Sequence, residues 1–253
     1  MSLRIRSIAA AGLLLASHCH AAGAAGPDDS PEDRVRRTLE QRYPQVKVLQ
    51  VSPSPVAGLY EVFTGDAIAY ADARGAYLIV GQMMDTDSKR NLSATRLDEL
   101  NRIDLARLPL AKSFTYVRGA GSRHLYVFSD PDCPYCQQLE KDLATLDDVT
   151  VHILLYPLAS IHPEAVARAR AIWCAPDRAA AWSGWMLDRR DPGTADCTTH
   201  PVDDLVKLGR ELRVISTPTL VFEDGRRFSG APPRERLVEM LDAARAAAPA
   251  ARD

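Results

Sequence analysis

The 253-residue sequence predicts a mixed α+β / α/β chain in two parts. A small N-terminal α+β unit is joined by a linker helix to a C-terminal unit of alternating strands and helices that carries a helical insert. Three observations predict this arrangement. Short runs of β character, separated by turn signals, fill residues 46–84 after an opening helix. A polar break at 85–95 is followed by leucines at roughly helical spacing. From residue 113 onward, apolar strand-like runs alternate with amphipathic helical ones. The composition, 46% hydrophobic and 25% charged, is that of an ordinary globular chain, and a net charge of -2 supplies no basic field to attract nucleic acid.

The first element is a leader. Arg4 and Arg6 precede the apolar run "IAAAGLLLAS", which ends in small residues with the Ala-x-Ala exit Ala22-Gly23-Ala24. A basic start, a short apolar core and a small-residue exit describe a secretory signal peptide over residues 1–24, since the run is too short to span a bilayer. Its removal takes Cys19 with it and moves the net charge from -2 to -4. The mature chain then keeps Cys133, Cys136, Cys174 and Cys197, an even number in an exported protein, which favours disulfides over thiols.

Residues 27–90 form the N-terminal unit. Ser30 is a helix cap, Pro31 suits the first helical position, and Glu32 and Asp33 suit the positive helix end. The helix should bury Val35 and Leu39 and stop near Tyr43-Pro44. The runs "VKVLQV", "GLYEVFT", "AIAYAD" and "AYLIVGQMM" then read as a strand meander, with turns at Pro53 to Gly58, Gly65-Asp66 and Asp72 to Gly75. A core this small is marginal alone, and a second copy of the same unit is the economical cover. Residues 91–112 read as the linker helix, with Leu97, Leu100, Ile103 and Leu108 on one stripe.

Residues 113–253 form the C-terminal unit. "HLYVFSD" is a buried strand, "PYCQQLEKDLATL" a helix and "VTVHILLYPL" a second strand, a β-α-β opening that implies parallel pairing. The helix "HPEAVARARAIWCA", an insert with Trp182 and Trp185, the helix "VDDLVKLGREL", the strand "TLVFED" with a turn at Gly225, and a last helix from Pro233 complete it. The late strand and turn imply an antiparallel edge hairpin. The alanine-rich tail "AARAAAPAARD" is expected to fray.

The stretch "FSDPDCPYCQQLE" carries the chemistry. Cys133 stands where a strand meets a helix, with Pro134 in the first position, so unpaired N–H groups and the positive end of the helix favour its thiolate. The thiolate is the nucleophile of disulfide exchange. Cys136 continues the apolar stripe Leu139, Leu143, Leu146, which places it in the core beneath Cys133. Cys133 is thus expected to be exposed and attacking, Cys136 buried and resolving. A zinc site would need two more ligands, and there is no second Cys-x-x-Cys, while His124, His152, His162 and His200 lack an obvious pairing. A static Cys133–Cys136 staple closes too small a loop to stabilise much. Cys174 and Cys197 bracket the insert, and a bond between them would be worth about 3 kcal/mol by loop entropy. Asp130 and Asp132 either tune proton transfer or hold the turn. In "VISTPTLVF", Pro218 precedes a strand, and the residues alone favour a trans bond there.

In that order, the leader, the β-rich unit, the linker, "FSDPDCPYC", "AIWCAPD" and "STPTLVF" resemble the periplasmic disulfide isomerases of the DsbC type across essentially the whole mature chain. The resemblance implies a thioredoxin fold for residues 113–253 and a dimerisation role for the N-terminal unit. It implies Cys133 as nucleophile and Cys136 as resolving cysteine. Pro134, Tyr135 and the cis-proline loop Thr217-Pro218 would face the client chain, and Cys174–Cys197 would be a structural disulfide. The implied setting is the periplasm, the implied clients are unfolded or misoxidised proteins, and the implied electron donor is a membrane thiol reductase of the DsbD type, with no metal or organic cofactor. One feature departs from the pattern: Pro134-Tyr135 replaces the Gly-Tyr common between DsbC-type cysteines, as in DsbG-like proteins, which leaves the redox poise open. The alternatives are a holdase-type chaperone and a DsbG-like or oxidase-type oxidoreductase.

Overall fold

The structure is a computed structural model that describes residues 30–194 and 197–248. The expected signal peptide lies outside these residues. Helix α1 (Pro31–Arg42) begins where the side chain of Ser30 accepts the N–H of Asp33, with Pro31 at its first turn. Its buried face, Val35 and Leu39, packs on Val48, Val51, Val62 and Ala71. The sheet beneath is an antiparallel meander of β1 (Gln50–Pro53), β2 (Leu59–Phe63), β3 (Ile68–Asp72) and β4 (Leu78–Val80), in that spatial order. The first strand is shorter than "VKVLQV" predicts. β4 forms one edge, and Leu78, Ile79 and Val80 are all exposed on it.

The linker corrects one expectation. A helix was expected over 91–112, but α2 (Leu92–Leu100) stops at Asn101 and only two 3₁₀ turns follow, Leu105–Arg107 and Leu110–Lys112. The leucine stripe serves two cores. Leu97 and Leu100 pack beside Phe63, Ile68 and Tyr70 of the first sheet, whereas Ile103 and Leu108 enter the core of the second. A straight helix cannot serve both. Tertiary bonds take over after Asn101: its side-chain oxygen accepts Arg213 at 3.3 Å and Arg227 at 2.8 Å, and the Ile103 N–H bonds Gly225 O at 2.8 Å.

The second sheet has the order β5-β7-β6-β8-β9, from β5 (Phe114–Gly119), β6 (His124–Ser129), β7 (Asp148–Leu155), β8 (Thr219–Phe222) and β9 (Arg227–Ser229). β6 and β7 are parallel, joined through α3 (Pro134–Leu143), and the other pairs are antiparallel. The hairpin β8–β9 turns at Gly225, whose φ of +80° is glycine territory. β5 is an element for which the sequence supplied no expectation. Its alternation, Phe114 inward and Thr115 outward, is short and ends in Arg118 and Gly119. Helices α4 (Ala165–Cys174), α5 (Arg178–Asp188) and α6 (Val202–Glu211) intervene before β8, and α7 (Arg234–Ala247) closes the chain. That last helix runs into the tail expected to fray, because Ala244 is buried and alanine favours helix. The core is built from Leu125, Val127 and Phe128 of β6, the inward residues of β7, and Leu139 and Leu143 of α3. No described helix is long and apolar enough to cross a membrane.

Candidate active site

The buried strand β6 delivers Ser129 to the sheet's edge, and three residues, Asp130 to Asp132, turn the chain into α3. Cys133 is the N-cap of that helix, with extended backbone (φ -75°, ψ 122°), and Pro134 opens the first turn. The N–H groups of Tyr135 and Cys136 therefore point at the Cys133 sulfur. Its pKa is lowered to about 5. The largest cause is the Cys136 thiol bonding to it. The N–H of Cys136, the Thr217 side chain and the N–H of Tyr135 add to this, against the opposing effect of burial. Cys136 is fully buried and its pKa is displaced far upward, by burial first and then by the bond and charge of Cys133. The backbone N–H of Asp130 lies 3.4 Å from its sulfur.

One expectation is corrected here. Cys133 is not exposed: only 5% of the residue is accessible. The loop ahead of β8 lies against it, with the Thr217 carbonyl oxygen 3.3 Å from its sulfur, where it accepts the S–H of the protonated form. Three large apolar side chains close in sequence to residues of the site are exposed: Tyr135 at 68%, Ile161 (before His162) at 64% and Ile215 (before the Thr217 loop) at 79%. Pro134 and Tyr135 occupy the solvent side of the helix start. Thr217 is buried, and its hydroxyl has no other partner among the described residues. The Thr217–Pro218 peptide bond is cis. The site thus brings together Cys133, Pro134, Tyr135, Cys136, Thr217 and Pro218. Cys174, at the end of α4, is instead bonded to Cys197, with Cα atoms 5.4 Å apart, while Cys133 and Cys136 are free thiols.

The loop before Cys133 is clamped from the helical insert, a feature the sequence did not disclose. Arg168 of α4 forms an ion pair with Asp132. The Arg168 guanidinium lies over the Trp185 ring, 4.1 Å from its centroid, and the Trp185 Nε1–H donates to Pro131 O at 2.7 Å. Asp130 accepts the N–H of Asp132 at 2.8 Å and of Leu158 at 2.7 Å, and meets His162 Nδ1 at 2.9 Å. Both aspartates therefore hold the turn. Arg168 and His162 carried no local signal, because each reaches the loop from 32 to 36 residues away. Trp185 stood out only as one of a tryptophan pair in the insert.

The arrangement, one easily ionised sulfur above one that holds its proton, is suited to thiol–disulfide exchange. Comparisons with known proteins point the same way. The thioredoxin-like domain model matches residues 110–245, and the model of the disulfide bond isomerase protein N-terminal domain matches residues 22–94. The chain is 36% identical over 215 residues to the probable thiol:disulfide interchange protein DsbC of Bordetella avium, covering 85% of this chain and 76% of the relative. It is 38% identical over 213 residues to the corresponding protein of Bordetella pertussis, covering 84% and 75%. A crystal structure of a disulfide interchange protein from Neisseria gonorrhoeae superposes with a TM-score of 0.53 at 41% identity, over 54% of this chain and 98% of that one. The chain therefore belongs to the DsbC family of thiol:disulfide interchange proteins, and is a thiol-disulfide oxidoreductase with disulfide isomerase function on a thioredoxin-like fold.

Proposed function

We propose that Cys133 is the sulfur that attacks. Its thiolate displaces one sulfur of a non-native client disulfide, forming a Cys133–client mixed disulfide and releasing the other client sulfur as a thiolate. A client thiolate then either attacks the client sulfur of that bond, which rearranges the client and regenerates the Cys133 thiolate, or Cys136 gives up its proton and attacks Cys133. The second route leaves a Cys133–Cys136 disulfide and a client reduced by two electrons, whose departing thiolate takes up the proton that Cys136 releases; an external donor must then return two electrons to the Cys133–Cys136 pair. A membrane thiol reductase of the DsbD type fits that need. The observation that carries this reading is the placement of the two sulfurs: Cys133 is the N-cap of α3, where helix N–H groups favour its thiolate, and Cys136 is fully buried in the next turn, where burial first and then Cys133 favour its protonated form. Pro134, Tyr135, Thr217 and Pro218 would line the client chain, and the Cys174–Cys197 bond would brace the insert.

The same reading makes the protein a periplasmic homodimer. The four-stranded sheet ends in an edge whose three residues are apolar and exposed, with Val80 82% accessible, and an exposed apolar edge strand seeks a second sheet. The units would run over residues 27–90, 91–112 and 113–253 after loss of the leader. The exposed apolar side chains of Tyr135, Ile161 and Ile215 also favour a holdase contribution with unfolded clients.

The test is reactivation of a scrambled, misoxidised substrate under a reducing glutathione buffer. Cys133→Ser should abolish it, and Cys136→Ser should accumulate mixed disulfides with clients. Equal reactivation by wild type and Cys133→Ser would refute the assignment. Suppression of client aggregation by the Cys133→Ser, Cys136→Ser double variant separates holding from turnover.

A further inference from the structure

Beside the two cysteines lies a pair, the buried Asp130 and the part-buried His162, whose contact the sulfur chemistry above does not use. The Asp130 side chain is wholly buried, with Oδ1 taken by the Asp132 N–H and Oδ2 shared by the Leu158 N–H and His162 Nδ1. A buried carboxylate needs donors, and the two backbone donors fix where the third must stand. His162 is itself held in a turn, its N–H bonded to Leu158 O at 2.9 Å and its carbonyl accepting the Ala165 N–H at 3.1 Å. The main chain of Asp130 meanwhile touches both cysteines: its carbonyl accepts the Cys133 N–H at 3.2 Å, and its N–H faces Cys136 Sγ at 3.4 Å. One residue thus joins the imidazole to both sulfurs.

We propose that His162 is a positioning residue for disulfide exchange, an imidazolium anchored on Asp130 whose positive charge favours the thiolate form of Cys133. The proposal rests on Cys133 being the attacking sulfur. The pKa of His162 is raised, by the Asp130 hydrogen bond first, against burial, and further by the charges of Asp130, Cys133 and Asp132. The interaction is reciprocal, so whatever the thiolate adds to the imidazolium, the imidazolium adds to the thiolate. The groups around it are Asp130, Asp132 and Cys133 from the segment between β6 and α3, with Arg168 of α4 engaged by Asp132. Among these, Cys133 is the one whose charge changes through the reaction, being lost whenever its sulfur enters a disulfide. His162 therefore binds its proton more tightly in the reduced protein than in the mixed disulfide.

The experiment has two arms on the full mature chain. Titration of the His162 imidazole by NMR in the reduced protein and in Cys133→Ser should show a lower midpoint in the variant. Titration of the Cys133 thiolate by its ultraviolet absorbance in wild type and His162→Gln should show a higher midpoint in the variant. Below the wild-type midpoint, alkylation of Cys133 in His162→Gln should slow by about three- to tenfold, corresponding to a shift of about 0.5–1 pKa unit. If His162→Gln fails to fold, the Cys133→Ser arm decides alone. A His162 midpoint identical in reduced wild type and Cys133→Ser overturns the proposal, whereas full client reactivation by Cys133→Ser overturns the assignment of the attacking sulfur and the proposal with it.

Discussion

Replacing Cys136 with alanine removes the largest of the bonds that hold the Cys133 thiolate, and its effect can be sized. The N–H groups of Cys136 and Tyr135 and the Thr217 side chain all remain in that variant. A hydrogen bond to a charged group is worth about 1.5–3 kcal/mol net. At about 1.4 kcal/mol per pKa unit, the Cys133 midpoint should climb by about 1–2 units from its starting value near 5. Cys136→Ser keeps an O–H donor at the same place and should raise it less. The order expected is wild type lowest, serine intermediate, alanine highest. The assay is absorbance of the thiolate near 240 nm against pH in the reduced protein, with the Cys174–Cys197 bond intact so that the titrating thiols are those of the site. An alanine variant that titrates with the wild type, or a serine variant above the alanine one, would refute the idea that the neighbouring sulfur sets the acidity.

Other consequences follow from particular contacts. Arg168→Ala removes both the Asp132 ion pair and the stack on Trp185; it should lower stability by about 2–3 kcal/mol in urea unfolding and slow client reactivation by loosening the loop before Cys133. Glu140 is buried, takes a 2.7 Å bond from the Tyr116 hydroxyl, and has its pKa raised to about 7, by burial first. Between its ordinary 4.5 and about 7 the folded chain keeps a proton that the unfolded chain has lost. Stability from this group therefore falls as pH rises through that window. Glu140→Gln should erase that slope and stabilise the protein at about pH 8 by on the order of 1–3 kcal/mol in chemical denaturation. Val80→Asp on the exposed edge of β4 should convert the proposed dimer to monomer in sedimentation velocity while leaving thiol titration of Cys133 unchanged; a dimer that survives would place the interface elsewhere.

The legible parts of the chain were those whose signals are local. Ser30, Pro31, Val35 and Leu39 specify α1 within ten residues, and the structure places its cap and buried face at those positions. Cys136, Leu139 and Leu143 do the same for the buried face of α3. What the sequence hid is long-range. The helix expected over 91–112 ends at Leu100 because its leucine stripe is continuous in sequence but divided between two cores in space. β5 carries no local signal because a short strand gains its meaning from pairing with β7, 29 to 39 residues on. The accessibility of Cys133 was overestimated for a related reason: its cover, the Thr217 carbonyl, comes from 84 residues downstream. The clamp of Arg168, Trp185 and His162 on the Asp130–Asp132 turn likewise exists only after α4 and α5 have packed.

The most direct measurement is the rate at which iodoacetamide modifies Cys133 in the reduced wild-type protein as pH is raised, with the site of modification located by mass spectrometry. A sulfur held as thiolate at the mouth of α3 should react half-maximally near pH 5 and reach its plateau by about neutral pH, with Cys136 unmodified throughout. Half-maximal reaction near the ordinary thiol value of about 8.5, or preferential labelling of Cys136, would contradict the account.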